Sequence, residues 1–263
     1  MNKIVDFNRK TLQQVENWIK KEDWDIPNSV FNYGLPDYIF HFINLPISND
    51  LTEADKICEF IDMLQGNINY LEIGVSVGKT FYQILQYAKS HAKQYTISCL
   101  DIEKINPSLQ HLLGEEYETH SIPSNPPTDS YRKDPQNHIK TWNSHKVTYY
   151  EADEFDDTIW KTMNTKYNLI FSDALHNPGA LYKEYSNLRI NNLLDDAGFI
   201  YCFDDLEAEE DGGMWQAVHH IKHNIEQSFP HLYVYVEHSV VNGWIGQYEF
   251  KHHFGIIYAH LPK

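Results

Sequence analysis

From residue 70 onward, short apolar runs alternate with stretches whose apolar residues fall three or four apart. The runs at 70–73, 95–100, 146–150, 167–171 and 198–203 predict strands. Phe81, Ile84, Leu85 and Ala88 predict a helix after the first of them. Ile159 and Trp160 begin a short one, Leu181, Tyr185 and Leu188 share one face of another, and Trp215, Val218, Ile221 and Ile225 mark a last one over 212–229. Two late strands, 232–237 and 254–258, are separated by turn signals at Asn242-Gly243 and Gly246, which predicts a closing antiparallel pair. Upstream, Leu12, Val15, Trp18 and Ile19 predict a helix within 8–21. Thr52-Glu-Ala-Asp55 is a capping-box variant that opens a helix through Ile57, Phe60, Ile61 and Leu64, with Gly66 as its stop. Strand–helix alternation of this kind builds an α/β domain around a parallel sheet.

Two stretches interrupt the rhythm. Residues 24–50 are rich in aromatics and broken by Pro27, Pro36 and Pro46, so an irregular or short-helical cap is expected there. Residues 104–145 carry Pro107, Pro123, Pro126, Pro127 and Pro135, which predicts a lid-like insertion. The expected organisation is a cap over 1–66 and a main domain over 67–263.

Composition narrows the partners. The 263 residues are 42% hydrophobic, enough for a large core, and the formal net charge is −16. No Lys/Arg cluster is present, which argues against nucleic acid. Cys58, Cys99 and Cys202 form no CxxC pair and sit in apolar stretches, so buried free thiols are expected. The first ten residues hold no apolar leader core and no run approaches eighteen apolar residues, so a soluble cytoplasmic protein is expected, with a small molecule as partner, no membrane and a homodimer as an allowed assembly.

The chemistry concentrates after the first predicted strand, in Tyr70-Leu-Glu-Ile-Gly-Val-Ser-Val-Gly-Lys-Thr80. Three motifs and an ordinary glycine turn compete for these letters. A phosphate-binding loop requires four residues between the first glycine and Gly-Lys-Thr, and only three are present. Gly74-Val75-Ser76-Val77-Gly78 fits a nucleophile elbow with Ser76 as nucleophile, but that fold places several strands before the elbow, and no convincing strand precedes this one. The third motif is a strand ending in acid-x-Gly-x-x-x-Gly, as in the cofactor turn of class I S-adenosylmethionine-dependent methyltransferases. The Gly74/Gly78 spacing lacks the G-x-G of a dinucleotide site.

Acids recur at the ends of the later strands. Asp101, about twenty residues or more past the turn, suits hydrogen bonds to ribose hydroxyls. Asp153 follows the third strand, where an acid meets an adenine amino group. Asp173 follows the fourth strand, and Asp204-Asp205 the fifth. Acids gathered on one rim repel unless a cation lies among them, and the oxygen-only set of Asp173, Asp204 and Asp205 suits Mg²⁺, Ca²⁺ or Mn²⁺. His176, three residues after Asp173, brings to the same rim an imidazole suited to proton transfer. His219 and His223 lie four apart on a predicted helix without a third partner and are expected as a polar helix face.

In this order the motifs resemble the metal-dependent O-methyltransferases of class I, the catechol type and the natural-product sugar type with D-x-x-H. The resemblance covers roughly residues 53–103 and 146–260. It implies a Rossmann-like, mostly parallel seven-stranded sheet with an antiparallel last strand and helices on both faces. It also implies S-adenosylmethionine held by Glu72, Gly74, Ser76, Gly78, Asp101 and Asp153. A divalent cation, Mg²⁺ in the family pattern, would lie on Asp173, Asp204 and Asp205, and His176 would act with Asp173 in methylation of a small hydroxylated molecule such as a vicinal diol, catechol or sugar. Asp205 stands where Asn is common in the family. Metal-independent methylation of nitrogen or of a protein side chain, a serine hydrolase using Ser76 and a non-catalytic cofactor-binding protein are the competing expectations.

Overall fold

The computed structural model describes residues 3–8, 10–11, 52–64, 67–75, 78–105, 107–124, 136–245 and 248–262. Most of the helix expected within 8–21, most of the cap and Ser76 lie outside these residues.

Nine strands form one mixed sheet. They are β1 (Asn67–Ile73), β2 (Gln94–Asp101), β3 (Glu118–Pro123), β4 (Gln136–Trp142), β5 (Val147–Glu151), β6 (Leu169–Ser172), β7 (Gly198–Leu206), β8 (Tyr233–Ile245) and β9 (Tyr248–His260). Their spatial order is β3-β4-β5-β2-β1-β6-β7-β9-β8. The five central strands, β5 to β7 in that order, run parallel. Their near-continuous burial reflects helices on both faces, as parallel sheets require. Antiparallel pairs flank them on each side. The sheet therefore exceeds the seven strands expected, and it is mixed rather than mostly parallel. The extra pair, β3 and β4, comes from the 104–145 stretch, whose described parts join the sheet edge.

From residue 52 onward the described helices are α1 (Glu53–Leu64), α2 (Lys79–His91), α3 (Pro107–Leu113), α4 (Asp157–Trp160), α5 (Pro178–Ile190) and α6 (Gly213–Ser228). One face of the sheet packs against α1 and α2 through Ile57, Phe60, Phe81, Ile84 and Leu85. The other packs against α4, α5 and α6 through Trp160, Leu181, Tyr185, Trp215 and Ile221. The capping box at α1 is present: Asp55 Oδ2 accepts from Thr52 N at 3.0 Å, and Asp55 N donates to Thr52 Oγ1 at 3.4 Å. Asp55 Oδ1 also accepts from Asn8 Nδ2 at 2.7 Å, which ties the helical residues 3–8 to α1. All three cysteines are free and buried.

The late hairpin differs from expectation. Asn242-Gly243 lies inside β8, which runs unbroken for 13 residues against the 13 of β9. Asn242 is buried, and its Oδ1 accepts from Lys251 Nζ on the paired strand. Cross-strand pairing overrides the local turn preference.

Where β7 meets β9 the register slips by one residue. Phe203 pairs with Gly255, but Leu206 pairs with His253. Asp204 and Asp205 fill this bulge, and Asp205 has φ 51°, a left-handed conformation that Asp tolerates better than most residues. Gly255 makes the bulge fit, since a Cβ there would lie 2.4 Å from Leu206 Cδ1.

Candidate active site

The glycine turn is shaped by the chain's own close packing. Gly74 has φ +83°, and a Cβ there would sit 2.2 Å from the backbone oxygen of Asp173. Gly74 N donates to Leu100 O at 2.9 Å and Asp173 N to Ile73 O at 2.7 Å, so the ends of β1, β2 and β6 are drawn together. Gly78, φ +80°, is the N-cap of α2 and faces Leu109, whose Cδ2 would lie 2.5 Å from an added Cβ. Both glycines are therefore demanded by backbone geometry and space.

Asp101 holds this turn. Its buried carboxylate accepts from Val75 N at 2.7 Å through Oδ2 and from Glu103 N at 2.8 Å through Oδ1. Tyr70 Oη donates to Oε2 of Glu72 at 2.7 Å. Residues two apart on a strand share a face, which brings the pair together. Burial pushes the Glu72 carboxyl well above the ordinary carboxylate range, despite the Tyr70 hydrogen bond. Asp153, also buried, accepts from Phe155 N at 2.9 Å and fixes the turn after β5.

The acid–histidine rim is formed at the carboxyl ends of β6 and β7. The loop after β6 is short because Asn177 caps α5, its Oδ1 accepting from Ala180 N at 2.9 Å, with Pro178 in the first turn. This places His176 between two acids. Its Nε2 lies 3.3 Å from Asp173 Oδ1 and its Nδ1 lies 3.3 Å from Asp205 Oδ2. The side chain is about a third exposed, at 32%, so both a proton and a substrate can reach it.

Two further side chains enter the rim that sequence reasoning did not place there. His252, on β9, has Nδ1 2.7 Å from Asp205 Oδ1 and 3.3 Å from Asp204 Oδ2. Its Nε2 lies 3.2 Å from Oε1 of Glu53, in the first turn of α1. In a regular strand Asp204 and Asp205 would point to opposite faces. The bulge lets His252 reach both. Glu53 was visible only as part of a capping box, and His252 only as a late histidine; their meeting depends on strand register and has no local sequence signal.

Electrostatics follow from this crowding. Burial, with the neighbouring charge of Asp204, raises Glu53 to about 8. Burial raises Asp204 to about 6, against the hydrogen bond from His252. Asp173 is raised well above its usual value, first by burial and then by Glu53 and Asp205. Burial alone would lower His252, but Asp204, Asp205 and Glu53 outweigh it and push it up to about 11. Asp205 is lowered: burial opposes this, and the hydrogen bond and charge of His252 prevail.

Of the residues expected to act together, the structure joins Asp173, His176, Asp204 and Asp205. Glu72, Gly74, Gly78 and Asp101 lie at the adjoining strand ends. His219 stacks toward Trp215, while His223 pairs with Gln227 and Glu226, so the i, i+4 histidines serve separate contacts.

No protein-family model and no curated protein sequence matches the chain. It is similar to several solved structures. Cofactor-bound Rv0187 from MTB is 13% identical over 89% of this chain and 87% of that one, with a TM-score of 0.46. SAH-bound methyltransferase PaMTH1 from Podospora anserina is 14% identical over 97% of each chain, with a TM-score of 0.43. MycE methyltransferase from the mycinamycin biosynthetic pathway, in complex with Mg, SAH and mycinamycin VI, is 12% identical over 77% of this chain, with a TM-score of 0.44. The match spans 48% of the MycE chain. The functional reading is drawn from the site itself.

Proposed function

We propose that the protein is an S-adenosylmethionine-dependent methyltransferase that methylates an oxygen of a small hydroxylated molecule such as a vicinal diol, catechol or sugar, with a divalent cation at the acidic rim. The observation that carries this reading is the convergence of Asp173, His176, Asp204 and Asp205 at the carboxyl ends of β6 and β7, beside the glycine turn after β1. Ligands of open α/β sheets bind at such strand ends.

The residues present fit both groups. The Gly74 turn lies at the carboxyl end of β1, packed against the backbone of Asp173, and Asp101 fixes its shape. The rim gathers carboxylates, and the buried Oδ1 of Asp204 accepts no hydrogen bond. Glu72, Gly74, Ser76, Gly78, Asp101 and Asp153 would hold the cofactor, which supplies an electrophilic methyl group. Asp173, Asp204 and Asp205 would hold the cation, which supplies positive charge beside an ionising hydroxyl. His176 would take the proton of the substrate hydroxyl, which leaves the oxygen free to accept the methyl group. Asp173 and Asp205 orient the imidazole and stabilise it once protonated. Much of the rate gain comes from positioning.

Calorimetry with S-adenosylmethionine on the folded protein tests the core of this reading; an absence of binding heat overturns it. A second reading, metal-independent methylation of nitrogen or a protein side chain, is favoured by one observation: His252 already places a positive imidazolium among Glu53, Asp204 and Asp205. Turnover that survives a chelator selects the second reading.

A further inference from the structure

We infer that Glu53, Asp204 and His252 form a three-donor metal centre, and that it takes a first-row transition cation such as Mn²⁺ or Co²⁺ in preference to Mg²⁺. The inference rests on the reading of the rim as a cation-assisted site, and adds Glu53 and His252 to Asp204 as donors.

One ligand atom from each of the three side chains lies within 4.8 Å of the others. A cation about 2.0–2.2 Å from each donor requires separations no greater than about 4.4 Å, so a small contraction completes the set. The donors come from three separate elements: the first turn of α1, the bulge of β7 and the middle of β9. Asp204 is only 3% exposed, and its Oδ1 accepts no hydrogen bond. A buried carboxylate oxygen without a donor is costly unless a cation or proton meets it.

The orientation of His252 is the second argument. A metal-binding imidazole characteristically gives its other N–H to a carboxylate, which fixes the ring. Here Nδ1 lies 2.7 Å from Asp205 Oδ1, leaving Nε2 directed toward Glu53 Oε1 at 3.2 Å. Asp205 is then the carboxylate that aims the ligand, and its other oxygen, Oδ2, is the one 3.3 Å from His176 Nδ1. One aspartate thus links the metal histidine to the proposed base.

Donor chemistry sets the metal. Oxygen-only sets suit Mg²⁺ and Ca²⁺, whereas imidazole shifts preference toward first-row transition ions.

The test is a Mn²⁺ titration of the full chain followed by electron paramagnetic resonance, with Mg²⁺ and Co²⁺ as competitors. The wild type is expected to bind one Mn²⁺ with nitrogen coupling from an imidazole in the pulsed spectrum. Co²⁺ displaces it at lower concentration than Mg²⁺. E53Q and H252Q weaken binding by about 10–100-fold or more, and H252Q loses the nitrogen coupling. Should H252Q fail to fold by circular dichroism, the nitrogen coupling of the wild type decides the imidazole and E53Q decides the carboxylate. Mn²⁺ bound without nitrogen coupling, lost in D173N but kept in E53Q, overturns this centre and leaves the proposed function standing. A wild type that binds none of the three cations removes the cation from both.

Discussion

Glu154 and Glu184 are buried neighbours, between the turn after β5 and helix α5, and each carboxyl feels the other. Glu184 Oε2 accepts from Tyr201 Oη at 3.1 Å, while Glu154 Oε2 and Glu184 Oε1 receive no bond from any other donor. A proton held between the two carboxyls satisfies both.

The pair makes stability depend on pH. Burial, followed by the charge of Glu184, raises Glu154 to about 10; burial raises Glu184 to about 7 despite bonds from Ser172 and Tyr201. Folded values above the unfolded one mean that the folded state binds more protons over this window. The contribution is complete below about pH 4.5 and is lost as pH rises through about 7 and then 10. Glu154→Gln keeps a donor and removes the titration. At pH 9 it should raise the melting temperature by about 2–4 °C for each kcal/mol recovered, with little change at pH 5. Equal shifts at both pH values in calorimetric scans would show that the pair does not share a proton.

Gly74→Ala should destabilise the fold by more than the ~1 kcal/mol of an ordinary glycine replacement. The added methyl meets the backbone of Asp173, which has no flexible side chain to yield, and φ is +83°. Gly114→Ala is the control, since it shares a positive φ but meets nothing within 4 Å. Urea midpoints for the two variants give the comparison; equal losses would leave the close approach without energetic weight.

Trp215 is wholly buried beneath the bulge, and its Nε1 donates to Glu207 O at 2.8 Å. Trp215→Ala should cost about 3–5 kcal/mol. Trp215→Phe should cost less but leave Glu207 O without its donor. Denaturant unfolding measures both, and a loss confined to the alanine variant would assign the whole effect to packing.

His176→Ala should lower kcat by about 10²–10⁴-fold on a hydroxylated substrate. Calorimetric affinity for S-adenosylmethionine should stay close to wild type, because His176 contacts Asp173 and Asp205 rather than the glycine turn. Unchanged kcat would remove His176 from proton transfer.

The five parallel strands and their helices were legible because each carries its own period of apolar residues. Asp173, His176, Asp204 and Asp205 were legible because they sit at strand ends, where position alone puts them on one rim. Glu53 and His252 were not. Glu53 reads locally as part of a capping box, His252 falls outside the strand expected at 254–258, and only the register of β9 against the bulged β7 brings them together. The lengths of β8 and β9 were hidden by Asn242-Gly243, whose turn preference yields to 13 paired positions. The strands β3 and β4 were hidden by their composition: prolines nearby and mostly polar residues make a strand pair resemble a loop.

That polar pair has a consequence for solubility. Without it, β5 would end the sheet with a buried, aromatic strand open to pairing with other chains. The outermost strand is instead β3, whose residues Glu118, Thr119, His120 and Ser121 are exposed and which stops at Pro123. Charge and proline on an outer strand are poor templates for a further strand. Among the described residues this edge is thereby a poor site for backbone pairing with other chains, and the aromatic strand β5, with Tyr149 and Tyr150, lies inside it.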